Sequence, residues 1–267
     1  MTTIVQMSDI HLLKDGALAY GQVDTLGALR RAVRHIVDVE GRLGGIDAVV
    51  VSGDIAEGGE PGAYGLFAEV AAPITAPIYV MPGNHDDREA MRAAFAAAGY
   101  FPATGSLHYA VDIGEVTLVA LDDHVPGAGH GLVSPEQLEW LDATLSARPE
   151  RPALLFLHHP PFAAGVTFMD AIRLRAAEAL EQVVRRNANV RLIACGHLHR
   201  AVTTTWAGVT TIVAPAICHS VALDLRAKAP PSFANEPPRV LVHQWRAGEL
   251  VSHMSFVDRV AGEIAFV

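Results

Sequence analysis

Apolar, strand-like runs at five places in this chain end in side chains that can bind a metal ion. In open α/β sheets, ligands bind beyond the carboxyl ends of the strands, so these side chains are expected to meet in one cleft. No other feature of the sequence constrains the fold as strongly. The groups that follow the runs are Asp9 and His11, Asp54, Asn84 and His85, His158 and His159, and His197 and His199.

The order of elements in the first part of the chain is typical of an α/β fold. Short apolar runs alternate with longer stretches in which the apolar residues recur at helical spacing. Asp24 is placed to cap a first helix that runs to Leu43. Asp86 or Asp87 can cap a later helix that runs to Ala98. Strands that alternate with helices in this way predict a parallel sheet.

The middle of the chain has its own signals. Gly114 lies in a short turn between two apolar runs, which predicts a hairpin. Ser134 and Gln137 have the spacing of a capping box at the start of a helix. A long amphipathic helix is predicted from Asp170 to Arg186.

After residue 200 the alternation of apolar residues predicts antiparallel strands. We interpret residues 1–267 as a single domain, in which 200–267 supply these C-terminal strands. The segment near 220–240 is rich in proline and is predicted to be a cap over the site or a contact in a homo-oligomer.

Composition narrows the class of protein. The 267 residues are 51% hydrophobic and 18% charged, which is typical of a compact globular chain. The net charge of -9 argues against a nucleic-acid polymer as partner. There is no apolar stretch of the roughly 20 residues that would span a membrane, and no signal peptide, so a cytoplasmic location is expected. Cys195 and Cys218 form no CxxC pair, which disfavours a zinc–thiolate site.

The candidate metal ligands are too many for one ion and enough for two. A carboxylate can bridge two ions that lie about 3.5–4 Å apart, and Asp54 is the natural bridge because no histidine follows it closely. Nitrogen and oxygen donors without thiolate favour iron, manganese, zinc or cobalt. The predicted ligands are Asp9, His11, Asp54, Asn84, His158, His197 and His199.

Together these motifs resemble the full set of the calcineurin-like metallophosphoesterase superfamily. The local sequence around Asp54, Asn84 and His158 is most similar to the branch of class III cyclic-nucleotide phosphodiesterases and bacterial glycerophosphodiesterases. The resemblance implies a four-layer αββα sandwich with an antiparallel C-terminal part. It also implies two catalytic residues, Asp54 as the shared ligand and His85 beside the leaving oxygen.

The resemblance further implies how the ligands divide and what the ions do. Asp9, His11 and His199 would hold one metal ion, and Asn84, His158 and His197 would hold the other. The ions would clamp the phosphoryl oxygens and lower the pKa of a bound water for in-line attack on phosphorus.

The substrate implied is a small phosphodiester, either a cyclic nucleotide or a glycerophosphodiester. Protein phosphatases of the superfamily have an arginine soon after the Gly-Asp motif, where this chain has Ile55, Ala56 and Glu57. Purple acid phosphatases supply a tyrosine ligand that is absent here. A phosphomonoesterase, a nuclease and a metal-bound scaffold with little catalysis remain as alternatives.

Four more residues near the motifs need an interpretation. His159 is predicted to orient a neighbouring ligand, and His219 lies in the part of the chain that can approach the substrate. Asp122 and Asp123 form an acidic pair that we interpret as a solvated loop.

Overall fold

The structure is a computed structural model that describes residues 1–258 and residue 266. The strands are β1 Thr2–Met7, β2 Ala48–Ser52, β3 Ile78–Met81, β4 Tyr109–Ile113, β5 Val116–Ala120, β6 Ala153–Phe156, β7 Val190–Cys195, β8 Val202–Trp206, β9 Val209–Val213, β10 Ser220–Val221, β11 Phe233–Ala234, β12 Arg239–Arg246 and β13 Glu249–Phe256. The α-helices are α1 Thr25–Leu43, α2 Pro61–Ala71, α3 Arg88–Ala94, α4 Pro135–Ser146, α5 Thr167–Asp170 and α6 Ala177–Arg186.

Two large sheets form the centre of the fold. The first has the order β13-β12-β1-β2-β3 and the second the order β4-β5-β6-β7-β9-β8. Successive residues of a strand face opposite sides of its sheet. Val5 therefore packs in a core cluster with Leu29 of α1, whereas Ile4 packs in the cluster that contains the second sheet and Leu141 of α4. Helices thus cover the outer face of each sheet, and the predicted α/β fold with four αββα layers is confirmed.

The parallel strands of both sheets bring their carboxyl ends to the candidate site. Strands β1, β2 and β3 run parallel in one sheet, and β5, β6 and β7 run parallel in the other. Backbone hydrogen bonds continue past the strand ends, with the Asp9 N–H donating to Gly53 O over 3.1 Å. The Gly196 N–H donates to His158 O over 2.9 Å in the same way. These bonds hold the residues after each strand in defined positions.

Polar side chains between the sheets join the two layers behind the site. Gln6 is buried and its Nε2 donates to Ser52 Oγ over 2.8 Å and to Cys195 O over 3.1 Å. His243 of β12 completes the set, with its Nε2 lying 3.0 Å from Gln6 Oε1. Buried polar groups cost free energy unless they are hydrogen-bonded, and these are satisfied by one another.

Most of the local predictions agree with the structure. The Asp24 side chain accepts a hydrogen bond from the Gly27 N–H at the start of α1. Ser134 and Gln137 form a capping box at the start of α4. Strands β4 and β5 pair as a hairpin across Gly114, as their spacing predicted. Asp87 rather than Asp86 caps α3, and that helix ends at Ala94.

The long helix predicted from Asp170 to Arg186 is wrong. Within that range only Asp170, the last residue of α5, and the ten residues of α6 are helical, and a loop separates them. Ala176 has φ 52, a value that an interior helical residue does not adopt. Before it, the Arg175 N–H donates to Gly131 O over 2.9 Å, a contact outside any helix. A periodic pattern cannot detect such a contact.

The C-terminal strands are antiparallel as predicted, but they do not form one unit. Strands β8 and β9 extend the second sheet, whereas β12 and β13 extend the first through pairing of β12 with β1. The predicted C-terminal strands were assigned through residue 267, and residues 259–265 and 267 lie outside the described part. In the described part, no helix has both the length and the apolar character needed to cross a bilayer.

Candidate metal centre

The backbone at the candidate site is strained in a consistent way. Among the described residues, non-glycine positions with positive φ include five of the seven predicted ligands. Each of these residues turns the chain sharply where a strand ends. Such strain clusters at functional sites, where the surrounding structure holds it in place. The five are Asp9 at 55°, His11 at 53°, Asp54 at 54°, His197 at 69° and His199 at 54°.

Glycines at the strand ends make room for the ligands. A Cβ on Gly83 would lie 2.2 Å from Asp54 Oδ1 and 2.7 Å from His158 Cε1. A Cβ on Gly196 would lie 2.8 Å from the backbone oxygen of Ser52 and 2.2 Å from the Ser8 hydroxyl oxygen. Contacts this short do not occur in proteins, so both positions require the absence of a side chain. The glycines of these sequence motifs are therefore required for the close packing of the backbone against the predicted ligands.

One group of ligand atoms comes from both sheets. Asp9, His11, Asp54 and His199 are buried, and one ligand atom from each lies within 4.8 Å of the others. His11 Nε2 lies 3.1 Å from His199 Nε2 and 3.6 Å from Asp54 Oδ2. His199 Nε2 also lies 3.4 Å from Asp9 Oδ1. This is the set that the resemblance assigned to the first metal ion together with Asp54.

The histidine tautomers in this group favour a bound cation. His11 Nδ1 lies 2.6 Å from Glu57 Oε2, and His199 Nδ1 lies 3.2 Å from a backbone carbonyl oxygen. Each Nδ1 thus faces an oxygen atom, and each Nε2 is directed into the site. Burial lowers the pKa of His199 to about 3, so its ring is neutral at ordinary pH. The Nε2 lone pair of His199 then faces His11 Nε2 and the Asp9 carboxylate, an arrangement that a bound metal ion would satisfy.

A second group of candidate ligands also reaches Asp54. His158 Nε2 is 3.3 Å from Asp54 Oδ2, and His197 Nδ1 is 2.9 Å from Asn84 Oδ1. His158 Nδ1 contacts Ser52 O at 2.8 Å, which again directs Nε2 towards the site. Neither His158 Nε2 nor His197 Nε2 has a hydrogen-bond partner among the described residues, although both are buried.

Such orphaned buried nitrogens fit a metal site. Burial lowers the pKa of His158, but the Asp54 charge outweighs it and raises the pKa to about 10. A cation placed between these two groups would take the place of that proton. Asp54 therefore faces ligands of both groups, as a bridging carboxylate would.

Glu57 is a site residue that the sequence reasoning missed. It accepts contacts from His11 Nδ1 at 2.6 Å and from His85 Nδ1 at 3.1 Å, so one carboxylate orients both rings. Burial would raise the pKa of Glu57, but the hydrogen bonds of the two histidines hold it well below its usual value. Burial would lower the pKa of His85, and the bond to Glu57 raises it to about 9. The only sequence signal was a carboxylate three positions after Asp54.

Asp86 organises the loops beneath the site. Its carboxylate accepts hydrogen bonds from the backbone N–H groups of Ile55, Ala56 and Gly83 and from the Tyr64 hydroxyl. These bonds tie the loop after β2 to the loop after β3. Burial, followed by the nearby charge of Asp54, raises the pKa of Asp86 to about 6. The loops that carry Asp54 and Asn84 are thereby held at a constant separation.

The prediction that Asp122 and Asp123 form a solvated loop is wrong. Both side chains are fully buried. Asp122 accepts two hydrogen bonds from Arg88, and Asp123 accepts from the His159 backbone N–H at 2.8 Å and contacts His159 Nδ1 at 3.1 Å. His159 in turn packs against the ring of His197, with centroids 4.5 Å apart. The charge pattern suggested solvent because it does not reveal the partly buried Arg88 as partner of Asp122 or the His159 contacts of Asp123.

A cavity of ≈ 360 Å³ opens beside the two ligand groups. Its floor includes Asp54, Asn84 and His85. His219 also lines it, with its ring 4.5 Å from that of His199. Burial lowers the pKa of His219 to about 3. The apolar side chains of its walls are Tyr20, Phe168, Met169, Ile172, Val221 and Phe233.

Two stacked sheets that gather imidazole, carboxylate and carboxamide groups at one edge define the class of binuclear-type metallophosphoesterases. The family model of the calcineurin-like phosphoesterases matches residues 2–201. The chain belongs to this family, and the predicted resemblance is confirmed.

Curated relatives and solved structures agree with that assignment. The chain is 35% identical over 265 residues to a probable glycerophosphodiester phosphodiesterase GpdQ of Arcobacter nitrofigilis, covering 98% of this chain and 96% of the relative. It is 36% identical over 216 residues to the 3',5'-cyclic adenosine monophosphate phosphodiesterase CpdA of Escherichia coli K12, covering 80% of this chain and 76% of the relative. A dimetal phosphatase from Danio rerio shares the fold, with a TM-score of 0.71, 17% identity and 96% of each chain covered.

Proposed function

We propose that this protein is a metal-dependent phosphodiesterase that hydrolyses small phosphodiesters. One metal ion would be held by Asp9, His11 and His199, a second by Asn84, His158 and His197, and Asp54 would be shared. The observation that carries the proposal is the convergence of buried imidazole nitrogens and carboxylates at the centre of the site. His11 Nε2 and His199 Nε2 lie only 3.1 Å apart, a spacing that a shared metal ion would satisfy. The names of the curated relatives support the same chemistry.

Bound metal ions would supply charge neutralisation at the phosphoryl oxygens and an activated water. The protein's own residues position the rest of the reaction. The His85 backbone N–H donates to Asp54 Oδ1 over 2.9 Å, and its Nδ1 is held by Glu57. These two contacts leave His85 Nε2 as the ring nitrogen that can give a proton to the departing oxygen.

The charge of the cavity supports a diester over a monoester. Within the described residues, neither arginine nor lysine lines it. A phosphomonoester carries more negative charge at neutral pH than a diester, and here only the metal ions and histidines would offset it. The site therefore suits an anion of low charge.

The remaining features extend the proposal. Nitrogen and oxygen ligands favour iron, manganese, zinc or cobalt, and we propose iron or manganese first.

Cys195 and Cys218 are both unpaired, which supports the cytoplasm as the location. Pro231, Ser232 and Phe233 line the cavity, which supports a cap role for the segment near 220–240 within a single domain. Association with a second copy stays a prediction.

The proposal is tested by removing the metal ions. Purified protein treated with a chelator should lose hydrolysis of bis-p-nitrophenyl phosphate and regain it with manganese or cobalt. Asp54→Ala should abolish the activity because it removes the shared ligand, whereas the surface variant Asp142→Ala should not. Activity that survives both chelation and Asp54→Ala would disprove the proposal, and faster turnover of p-nitrophenyl phosphate would favour a monoesterase.

A further inference from the structure

Beside the metal centre, two aromatic side chains project from segments that lie far apart in the sequence. Tyr20 belongs to the loop before α1, and Phe233 belongs to β11. Their rings are 5.8 Å apart and inclined by 32°. We propose that this aromatic pair binds the ester group of the substrate and makes the site prefer phosphodiesters that carry a planar aromatic or heteroaromatic ring. The inference rests on the proposed phosphodiesterase function and names its substrate class.

The aromatic pair is connected to the metal ligands by a row of rings. His219 lies 4.5 Å from His199 and 5.4 Å from both Tyr20 and Phe233, measured between ring centroids. A single imidazole therefore separates a predicted ligand from the pair. A phosphoryl group at the metal centre would have its ester group directed along this row.

The two rings retain free faces. Tyr20 is 52% exposed and Phe233 is 38% exposed, although both line the cavity. Exposed aromatic rings grouped at the mouth of a polar site indicate a binding surface. Stacking on such faces is available to any planar ring, because every base has a π-face.

Both rings are held in place by the fold. Tyr20 has φ 52, a strained value for a bulky residue, within a turn closed by hydrogen bonds between Ala19 and Val23. Phe233 pairs with Val221 across β10 and β11. Arg200 ties this hairpin to the body of the protein by donating to Val221 O over 2.8 Å and to a Glu236 oxygen over 2.6 Å. The aromatic pair is therefore a built surface rather than a loose rim.

The rest of the cavity wall disfavours a polyhydroxylated ester group. Phe168, Met169, Ile172 and Val221 are apolar, and the polar side chains that line the described cavity away from the predicted ligands are those of Tyr20, His85, His219 and Ser232. A glycerol group would replace few of its bonds to water against the apolar part of the wall, and this costs binding free energy. A flat ring buries apolar area against the same wall. A quaternary ammonium group could also bind aromatic faces, so the experiment must separate it from a planar ring.

The test compares three diesters on the manganese-loaded protein. They are 3',5'-cyclic AMP, glycerophosphocholine and glycerophosphoglycerol. The wild type should have the highest kcat/KM on cyclic AMP. Phe233→Ala and Tyr20→Ala should each raise the KM for cyclic AMP about tenfold with kcat little changed, and should affect the glycerol diester less than twofold.

A matched control and a binding measurement complete the design. Leu223→Ala changes an exposed residue of the same segment that does not line the cavity, and it should leave all three rates unchanged. Phe233→Leu keeps apolar area without a ring and should behave like Phe233→Ala. Calorimetric affinity for AMP should fall about tenfold in Phe233→Ala at unchanged metal content.

The outcomes separate the inference from the proposed function. If the wild type hydrolyses none of the diesters, the proposed function is wrong. If it hydrolyses them but Phe233→Ala lowers all rates equally, or lowers the choline diester most, the aromatic-ring preference is wrong and the phosphodiesterase stands. A selective loss on cyclic AMP supports the inference.

Discussion

The floor and the rim of the cavity are built in opposite ways. The floor includes strand-end residues such as His11, Asp54 and His199, which are buried and whose segments are fixed by backbone hydrogen bonds. The rim consists of Tyr20 and Phe233, which are exposed and come from a turn and a two-residue strand. Metal chemistry requires ligand positions accurate to a fraction of an ångström, whereas an apolar ester group tolerates small shifts. The strictest requirement on atomic position therefore lies at the floor, where the reaction would take place.

The largest effects are expected from two substitutions in the floor, one of a predicted metal ligand and one of the predicted proton donor. If Asn84 is a ligand as proposed, Asn84→Ala should lose much of the second metal ion and lower kcat/KM at least about 100-fold, because that ion would clamp the phosphoryl group. His85→Ala should keep both ions and lower kcat about 100-fold, since general acid catalysis contributes about that much. Elemental analysis combined with kinetics checks both. Equal metal loss in the two variants would contradict the assigned roles.

A substitution of glycine tests how little space the floor allows. In Gly83→Ala the new Cβ would overlap Asp54 Oδ1, so metal affinity should fall at least tenfold. The free energy of unfolding should fall by about 1–3 kcal/mol through overpacking. Gly65→Ala is the matched control, because Gly65 lies in α2 with no atom near the added Cβ. It should stabilise the protein by about 0.5–1 kcal/mol in denaturant unfolding.

Substitution of Glu57 tests whether the orientation of the His11 and His85 rings contributes to kcat/KM. Glu57→Gln removes the charge that holds His11 and His85, and kcat/KM should fall about 10- to 100-fold, as for other groups that orient metal ligands. Glu60→Gln, in the same loop, breaks only an exposed contact with Lys14 at 3.5 Å and should change the rate less than about twofold. Identical rates in the two variants would assign Glu57 no part in the site.

The buried His243 behind the site should make the free energy of unfolding sensitive to acid. Burial lowers the pKa of His243 to about 4 from an unfolded value near 6.5. Below pH 6.5 the unfolded chain binds this proton and the folded one does not, so stability falls as the pH drops towards 4. Between pH 8 and pH 5 the wild type should lose about 2 kcal/mol more than His243→Gln in urea unfolding. Parallel pH profiles for the two proteins would contradict this.

The smallest effects are expected away from the cavity lining. Leu225→Ser changes a side chain that is 61% exposed in the segment before β11. Surface substitutions of this kind usually change the free energy of unfolding by less than about 0.5 kcal/mol. A larger loss that depends on protein concentration would instead indicate that the segment is a contact between copies.

Much of the floor could be predicted because its signals are local. Apolar runs mark strands, and the residue after each run lies at the carboxyl edge of a sheet. The ligand candidates from Asp9 to His199 could therefore be named. The capping residues Asp24 and Ser134 could be named too, because their side chains accept hydrogen bonds from backbone N–H groups only three residues further on. The interrupted helix at Ala176 and the burial of Asp123 were missed, since both depend on contacts with distant segments.

The order of residues along the chain by itself determined the donor types, their places at strand ends and the α/β class. Only the tertiary structure decided that Glu57 would hold two histidines, that Asp123 would hold His159 and that Tyr20 would meet Phe233. The physical reason is that strands and helices repeat at short periods, which a sequence displays. Loops have no period, and their side chains acquire partners only when packing brings remote segments together.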